Sequence, residues 1–152
     1  MTPVEQTPSI VVLDTDVASF IFKGDTRGQS YQQLLVGQNP LISFMTLAEL
    51  TLWTDVAGWG RAKRERLKLF LNDLPVHYAD EELCGRWSTV TAVARRAGRR
   101  IEAADAWIAA TALLYEAPLM THNADDFAGV PNLRIINWSG KQAVPERPSR
   151  GG

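Results

Sequence analysis

Short apolar runs alternate with longer helical stretches along nearly the whole chain, and this alternation limits the fold more than any other feature. Ile10 to Leu13 is apolar at every position, so it has no face to turn to water and reads as a strand buried on both sides of a sheet. Leu41 to Phe44, Pro75 to Tyr78, Pro118 to Thr121 and Leu133 to Trp138 read as further strands. Helices are expected over Val17 to Phe22, stopped at Gly24, and Ser30 to Val36, stopped at Gly37. Thr46 opens another that runs to near Val56, Arg61 to Asn72 is amphipathic, and Asp80 caps a helix that stops at Gly98. A buried helix runs from near Glu102 to Tyr115, and Asn123 to Phe127 forms a turn or short helix. Strands separated by helices require crossover connections, which predicts parallel βα units in a three-layer α/β/α domain. With 152 residues, 45% of them hydrophobic, the chain fills one such domain and not two. The expected organisation is a disordered segment at 1–9, a domain at 10–140 and a disordered tail at 141–152 rich in Pro, Gly and charge.

A net charge of -1 supplies no global positive field, so any nucleic-acid binding falls to local basic patches. One cysteine, Cys84, rules out an internal disulfide and a thiolate zinc cluster, and it suits a reducing compartment. The two histidines, His77 and His122, are too few for a His-rich metal site. The N-terminus has no signal-peptide core and no apolar run spans a bilayer, so a cytoplasmic protein without membrane association is expected.

In open parallel sheets, ligands gather beyond the carboxyl ends of the strands. Asp14 stands at such an end in "VVLDTDVASF", and Thr121, Asn123, Asp125 and Asp126 follow the fourth strand in "MTHNADDF". On position alone, Asp14 and Asp16 suit a helix N-cap equally well. Glu49 lies three residues after Thr46, the spacing of a capping box, and taken alone that structural role is the stronger. Asp105, in "EAADAWIAATALL", sits in the first turn of a helix among Ala, Trp and Ile. The helix dipole favours an acid there, but the apolar setting demands capping, pairing or a cation. Acids on strand ends and helix starts, with no matching His or Cys set, point to hard oxygen ligation of Mg²⁺ or Mn²⁺ and to metal-activated water attacking a phosphodiester. In that scheme Asp14 and Asp105 hold the principal ion, while Glu49 and either Asp125 or Asp126 complete the site or orient water.

The pieces "VVLDTDVAS", "ISFMTLAEL", "ADAWIAATAL" and "MTHNADDF" together resemble the PIN-domain family, and within it the VapC-type ribonuclease toxins of bacterial toxin–antitoxin pairs. They fall in the family's order and cover nearly all of Ile10 to Trp138. The resemblance implies a five-stranded parallel sheet of order 3-2-1-4-5 with the acids gathered where strands one and four meet. It also implies Mg²⁺-dependent RNA cleavage, dimerisation and neutralisation by a small antitoxin. Carried over by motif, Asp14, Glu49 and Asp105 are the first three acids, with Thr15 and Thr121 on the polar positions beside them. Asp16 stands where the family often has Asn or Ser, and Asn123 where some relatives have Asp. The fourth acid is therefore to be found at Asp126 or Asp125, if present, and we assign it to Asp126.

Arg95, Arg96, Arg99 and Arg100 precede Asp105 and could grip RNA phosphates, although a solvated helix end explains them as well. Arg61 to Lys68 suits a solvated face or an antitoxin contact. The five tryptophans could stack bases, but their spacing suits core or dimer packing better. Two other functions compete. "DTDV" also satisfies the D-x-D-x-[TV] pattern of haloacid dehalogenase-type phosphatases, with Asp14 as nucleophile and Asp16 as acid, but it leaves Glu49 and Asp105 without a role. The other is a PIN-like module that only binds protein or RNA.

Overall fold

The structure, a computed structural model, describes residues 9–138. The flanks expected to be disordered lie outside these residues, except Ser9, whose carbonyl accepts the Asn39 amide at 2.9 Å. In chain order the elements are β1 (Ile10–Leu13), α1 (Thr15–Lys23), α2 (Thr26–Leu34), β2 (Asn39–Ser43), α3 (Phe44–Val56) and α4 (Arg61–Asn72). There follow β3 (Val76–His77), α5 (Glu81–Arg96), α6 (Ala103–Leu114), β4 (Leu119–Met120), a 3-10 helix (Ala124–Phe127) and β5 (Ile135–Ile136). The five strands form one sheet of order β3-β2-β1-β4-β5, every adjacent pair parallel, as the resemblance implies.

The pleat of β1 divides the core. Val11 and Leu13 point to one face, with Val17, Ala18, Tyr31, Leu50 and Leu67 of α1 to α4. Val12 points to the other, against Leu83 and Val90 of α5 and Ile108, Ala109 and Ala112 of α6. Val11, Val12 and Leu13 are at most 2% exposed, so the strand is apolar throughout because both of its faces are covered. Removing the Leu13 side chain by Leu13→Ala would cost about 2–5 kcal/mol, the range for a cavity in such a site.

Two element boundaries differ from expectation for identifiable reasons. Helix α2 starts at Thr26 rather than Ser30, with the Asp25 carboxylate accepting the Gly28 amide at 2.9 Å. Gly28 weakens the sequence signal for helix there, yet the packing requires it: a Cβ at this position would lie 2.0 Å from the Phe20 carbonyl oxygen of α1. Helix α3 starts at Phe44 rather than Thr46, with Ser43 as N-cap and its hydroxyl accepting the Met45 amide at 3.1 Å. The capping box expected between Thr46 and Glu49 does not form, and the two side chains are left for other contacts.

Candidate active site

Strand β1 lies at the centre of the sheet, where the chain order runs to β2 on one side and β4 on the other. The register pairs Leu13 with Met120, so the next residues, Asp14 and Thr121, emerge side by side at the carboxyl edge. The Asp14 amide donates to the Met120 carbonyl at 2.9 Å, which extends the pairing to the site itself. This is the topological switch point at which open parallel sheets bind their ligands.

Asp14 is the N-cap of α1, and one carboxylate oxygen accepts the Thr15 amide at 2.8 Å. Its other oxygen accepts the Thr121 hydroxyl at 2.7 Å. Capping and a functional role are therefore compatible, since two donors leave lone pairs free on the carboxylate. Asp14 is 7% exposed, and burial raises its pKa above the ordinary carboxylate value. The hydrogen bonds from Thr121 and Thr15 work against that rise, whereas the charge of Asp126 adds to it.

The Glu49 carboxylate accepts the Thr15 hydroxyl at 2.8 Å, and the Thr15 and Thr46 hydroxyls stand 3.0 Å apart. Thr15 thus ties the start of α1 to the second turn of α3 and brings Glu49 beside Asp14. Thr46, which sequence reasoning treats only as a helix start, is fully buried at this contact. A polar residue inside an otherwise apolar segment was the available signal.

Asp105 occupies the first turn of α6 and is half-buried. Its pKa is raised to about 7, first by burial and then by the negative charges of Asp14, Asp126, Glu49 and Glu102. Asp105 therefore lies within the fields of Asp14, Glu49 and Asp126. Asp126 is exposed on the 3-10 helix, and its charge acts on both Asp14 and Asp105. Asp125, also exposed, is not among the largest influences on either acid.

Asp16 meets the Asp14 carboxyl on one side and the loop after β4 on the other. One of its oxygens accepts the Val17 amide at 2.7 Å, and the other accepts the Asn123 side-chain amide at 2.8 Å and the His122 backbone amide at 3.3 Å. Its pKa is raised to about 7 by burial and by the neighbouring Asp14 charge. The His122 ring does not project as a free ligand: Nδ1 lies 2.7 Å from the hydroxyl of fully buried Tyr31, and Phe20 meets the ring edge-on at 5.4 Å. The D-x-D phosphatase reading gives no role to Glu49 and Asp105, which the fold draws in around Asp14.

Among the described residues, no three His, Cys, Asp or Glu side chains stand in a ready-made chelate. The donor set nevertheless suits a hard divalent cation. It is all carboxylate and hydroxyl oxygen, its members repel one another, and Mg²⁺ commonly takes only one or two protein carboxylates while keeping several waters.

Arg95 and Arg96 end α5, Arg99 and Arg100 follow in the loop to α6, and all four are exposed. None of them enters an ion pair among the described residues. Gly129, just beyond the 3-10 helix, lets this loop close in, since a Cβ there would lie 3.0 Å from the Arg99 Cβ. The tryptophans pack largely as their spacing predicts: Trp87 stacks on Trp107 at 5.0 Å, and Phe44 meets Trp107 edge-on at 5.3 Å.

The PIN domain family model matches residues 11–133. Ribonuclease VapC1 of Haemophilus influenzae (strain R2866) is 29% identical over 135 residues, covering 86% of this chain and 98% of the relative. Ribonuclease VapC5 of Mycobacterium tuberculosis is 29% identical over 135 residues, with 86% and 96% covered. The solved structure of VapBC-1 from nontypeable Haemophilus influenzae superposes with a TM-score of 0.69 at 28% identity, covering 85% of this chain and 98% of that one. VapBC2 from Rickettsia felis, bound to a DNA fragment from its promoter, shares the fold with a TM-score of 0.75 at 24% identity over 85% and 98% of the two chains. With the family match running from β1 almost to β5, this chain belongs to the PIN domain family.

Proposed function

We propose that this protein is an endoribonuclease that hydrolyses RNA phosphodiester bonds with Mg²⁺, for which Mn²⁺ can substitute, and that it is the toxin of a toxin–antitoxin pair. The observation that carries this reading is the gathering of acids at the β1–β4 switch point, where the Thr15 hydroxyl ties Glu49 to the start of α1 beside Asp14 and the charges of Asp14, Asp126 and Glu49 bear on Asp105. The name its relatives carry, ribonuclease, supports the same substrate class. Asp14 and Asp105 would hold the cation, and Glu49 and Asp126 would complete the set and take the proton of the attacking water. Bound there, the ion would lower the pKa of that water and screen the phosphodiester charge. Thr121 and the Thr15 amide keep the Asp14 carboxylate in one orientation, and the Thr15 hydroxyl does so for Glu49. Arg95, Arg96, Arg99 and Arg100 would bind RNA phosphates along the flank.

The partner reading is supported by solved neighbours, among them VapBC-5 from Mycobacterium tuberculosis, a member of the VapBC family of toxin–antitoxin systems, and a toxin–antitoxin complex from Klebsiella pneumoniae. A homodimer fits the exposed apolar pair Leu52 and Val56, one turn apart on α3 and 57% and 76% exposed. No helix among the described residues is long and apolar enough to cross a membrane, and we place the protein in the cytoplasm with its RNA substrate. The test is controlled expression in growing bacteria with sequencing of newly formed RNA ends. Growth arrest and ends at defined sites are expected, both absent for Asp105→Asn. If the parent produced no new ends, or the variant produced the same ones, the nuclease reading would fail. A protein that only binds would give that result too.

A further inference from the structure

We propose that Asp16 and Asn123 form a clasp that positions the fourth acid, Asp126, so that Asp16 is a positioning residue and not a ligand of the cation. This rests on the reading of Asp126 as a member of the acid set.

The connections are continuous. Asp16 lies in the first turn of α1, and its carboxylate accepts the Asn123 side-chain amide at 2.8 Å. The Asn123 carbonyl in turn accepts the Asp126 amide at 3.1 Å, the bond that opens the 3-10 helix carrying Asp126. The Asn123 amide donates to the Thr121 hydroxyl at 3.1 Å, the same hydroxyl that donates to Asp14. Asn123 thus has its side chain on α1, its amide on the Asp14 support and its carbonyl on Asp126. The preceding residue is fixed as well, with the His122 amide on Asp16 at 3.3 Å and its ring on Tyr31 at 2.7 Å.

The donors on Asp16 leave it little capacity for an ion. Val17, His122 and Asn123 supply three N–H groups to a carboxylate with about four acceptor positions, and the neighbouring Asp14 carboxyl meets it on the remaining side. By contrast, the Asp126 carboxylate has no hydrogen bond among the described residues and depends on its backbone for placement.

A clasp of one acceptor and one donor has a specific reciprocal test. Asn123→Asp sets acceptor against acceptor, Asp16→Asn sets donor against donor, and the double variant restores one donor and one acceptor with the roles exchanged. Each single variant is expected to weaken Mn²⁺ binding, measured by calorimetry, and to lower kcat by about 10- to 100-fold, the loss of one hydrogen bond to a charged group. KM for RNA should hold within about twofold, because the remote contacts that bind substrate are untouched. Amide exchange at His122 and Asn123, read by NMR on the folded protein, should speed up in the single variants. In the double variant Mn²⁺ affinity and exchange protection should both recover most of the loss. Should Asn123→Asp fail to fold, Asn123→Ala breaks the same bond without adding charge.

The proposal is overturned if the double variant is no better than the worse single one. It is also overturned if the loop amides are released while Mn²⁺ affinity stays at the parent value, since Asp126 would then not depend on the clasp. If the parent itself binds no Mn²⁺, the acid-set reading falls and this proposal with it. Loss of loop protection on its own would then describe loop anchoring and no more.

Discussion

Thr121→Val removes one hydroxyl while nearly conserving volume, and its effect should depend on pH. Thr121 is fully buried, donates to Asp14 at 2.7 Å and accepts the Asn123 amide at 3.1 Å. The second bond is neutral, and its loss should cost about 0.5–1.5 kcal/mol at any pH. The first is charge-assisted only when Asp14 is ionised, and its loss should then cost about 1.5–3 kcal/mol more. Asp14 has a raised pKa, so the native state keeps its proton to higher pH than the unfolded chain does. The stability linked to that proton is full at low pH and declines as pH rises through the native value. The Thr121 hydrogen bond holds that value down, so losing it raises the native value further and the gap between variant and parent widens with pH. Urea unfolding without divalent cations should give a destabilisation of about 1 kcal/mol at pH 4.5 and about 2–4 kcal/mol at pH 8.5. Thr121→Ser should stay near the parent at both. An equal loss at the two pH values would refute the assignment of this hydroxyl to the ionised carboxylate.

Other consequences are as direct. Asp16 and Asp105 both have pKa values raised to about 7 in the native state, above the ordinary 3.8, so cation-free protein should lose melting temperature as pH rises from 5 to 8. Asp105→Asn should flatten part of that decline, and differential scanning calorimetry would show whether it does. Thr15→Val frees the Glu49 carboxylate and should lower kcat by about tenfold, the cost of one hydrogen bond to a charged group, with Thr15→Ser close to the parent. A double Arg99→Ala, Arg100→Ala change should weaken RNA binding and reduce the log–log salt slope by about 0.7 for each phosphate that is no longer neutralised. Gly28→Ala should destabilise by about 1–3 kcal/mol, because its methyl meets the Phe20 carbonyl at 2.0 Å.

How much of this could be read from sequence varies with how local each determinant is. Strand β1 was legible because a strand covered on both faces has to be apolar throughout, and Ile10–Leu13 has those bounds in the structure. Helix α4 was legible at both ends, Arg61–Asn72, because an amphipathic pattern begins directly after Gly60. The start of α3 was not legible: Ser43 and Thr46 are both good N-caps, and the choice depends on Thr15, which stands against the Thr46 hydroxyl from 31 residues away. The role of Glu49 followed the same course, from capping box to partner of Thr15. Asp125 and Asp126 are adjacent and chemically alike, so sequence offers no ground for choosing between them, whereas in the fold the Asp126 charge bears on Asp14 and Asp105. The short edge strands β3 and β5 retain two residues each, since edge positions need little apolar sequence.

The central claim is that Asp14 and Asp105 hold the cation on which RNA hydrolysis depends. Its most direct test is the rate of cleavage of a single-stranded RNA at pH 8, titrated with Mg²⁺, for the parent, Asp14→Asn and Asp105→Asn. The parent should show a saturable Mg²⁺ dependence abolished by chelator, and each variant should lose about two orders of magnitude or more, the scale for removing a preorganised charge from a transition state. Cleavage by either variant at the parent's rate, or parent cleavage unaffected by chelator, would contradict the account.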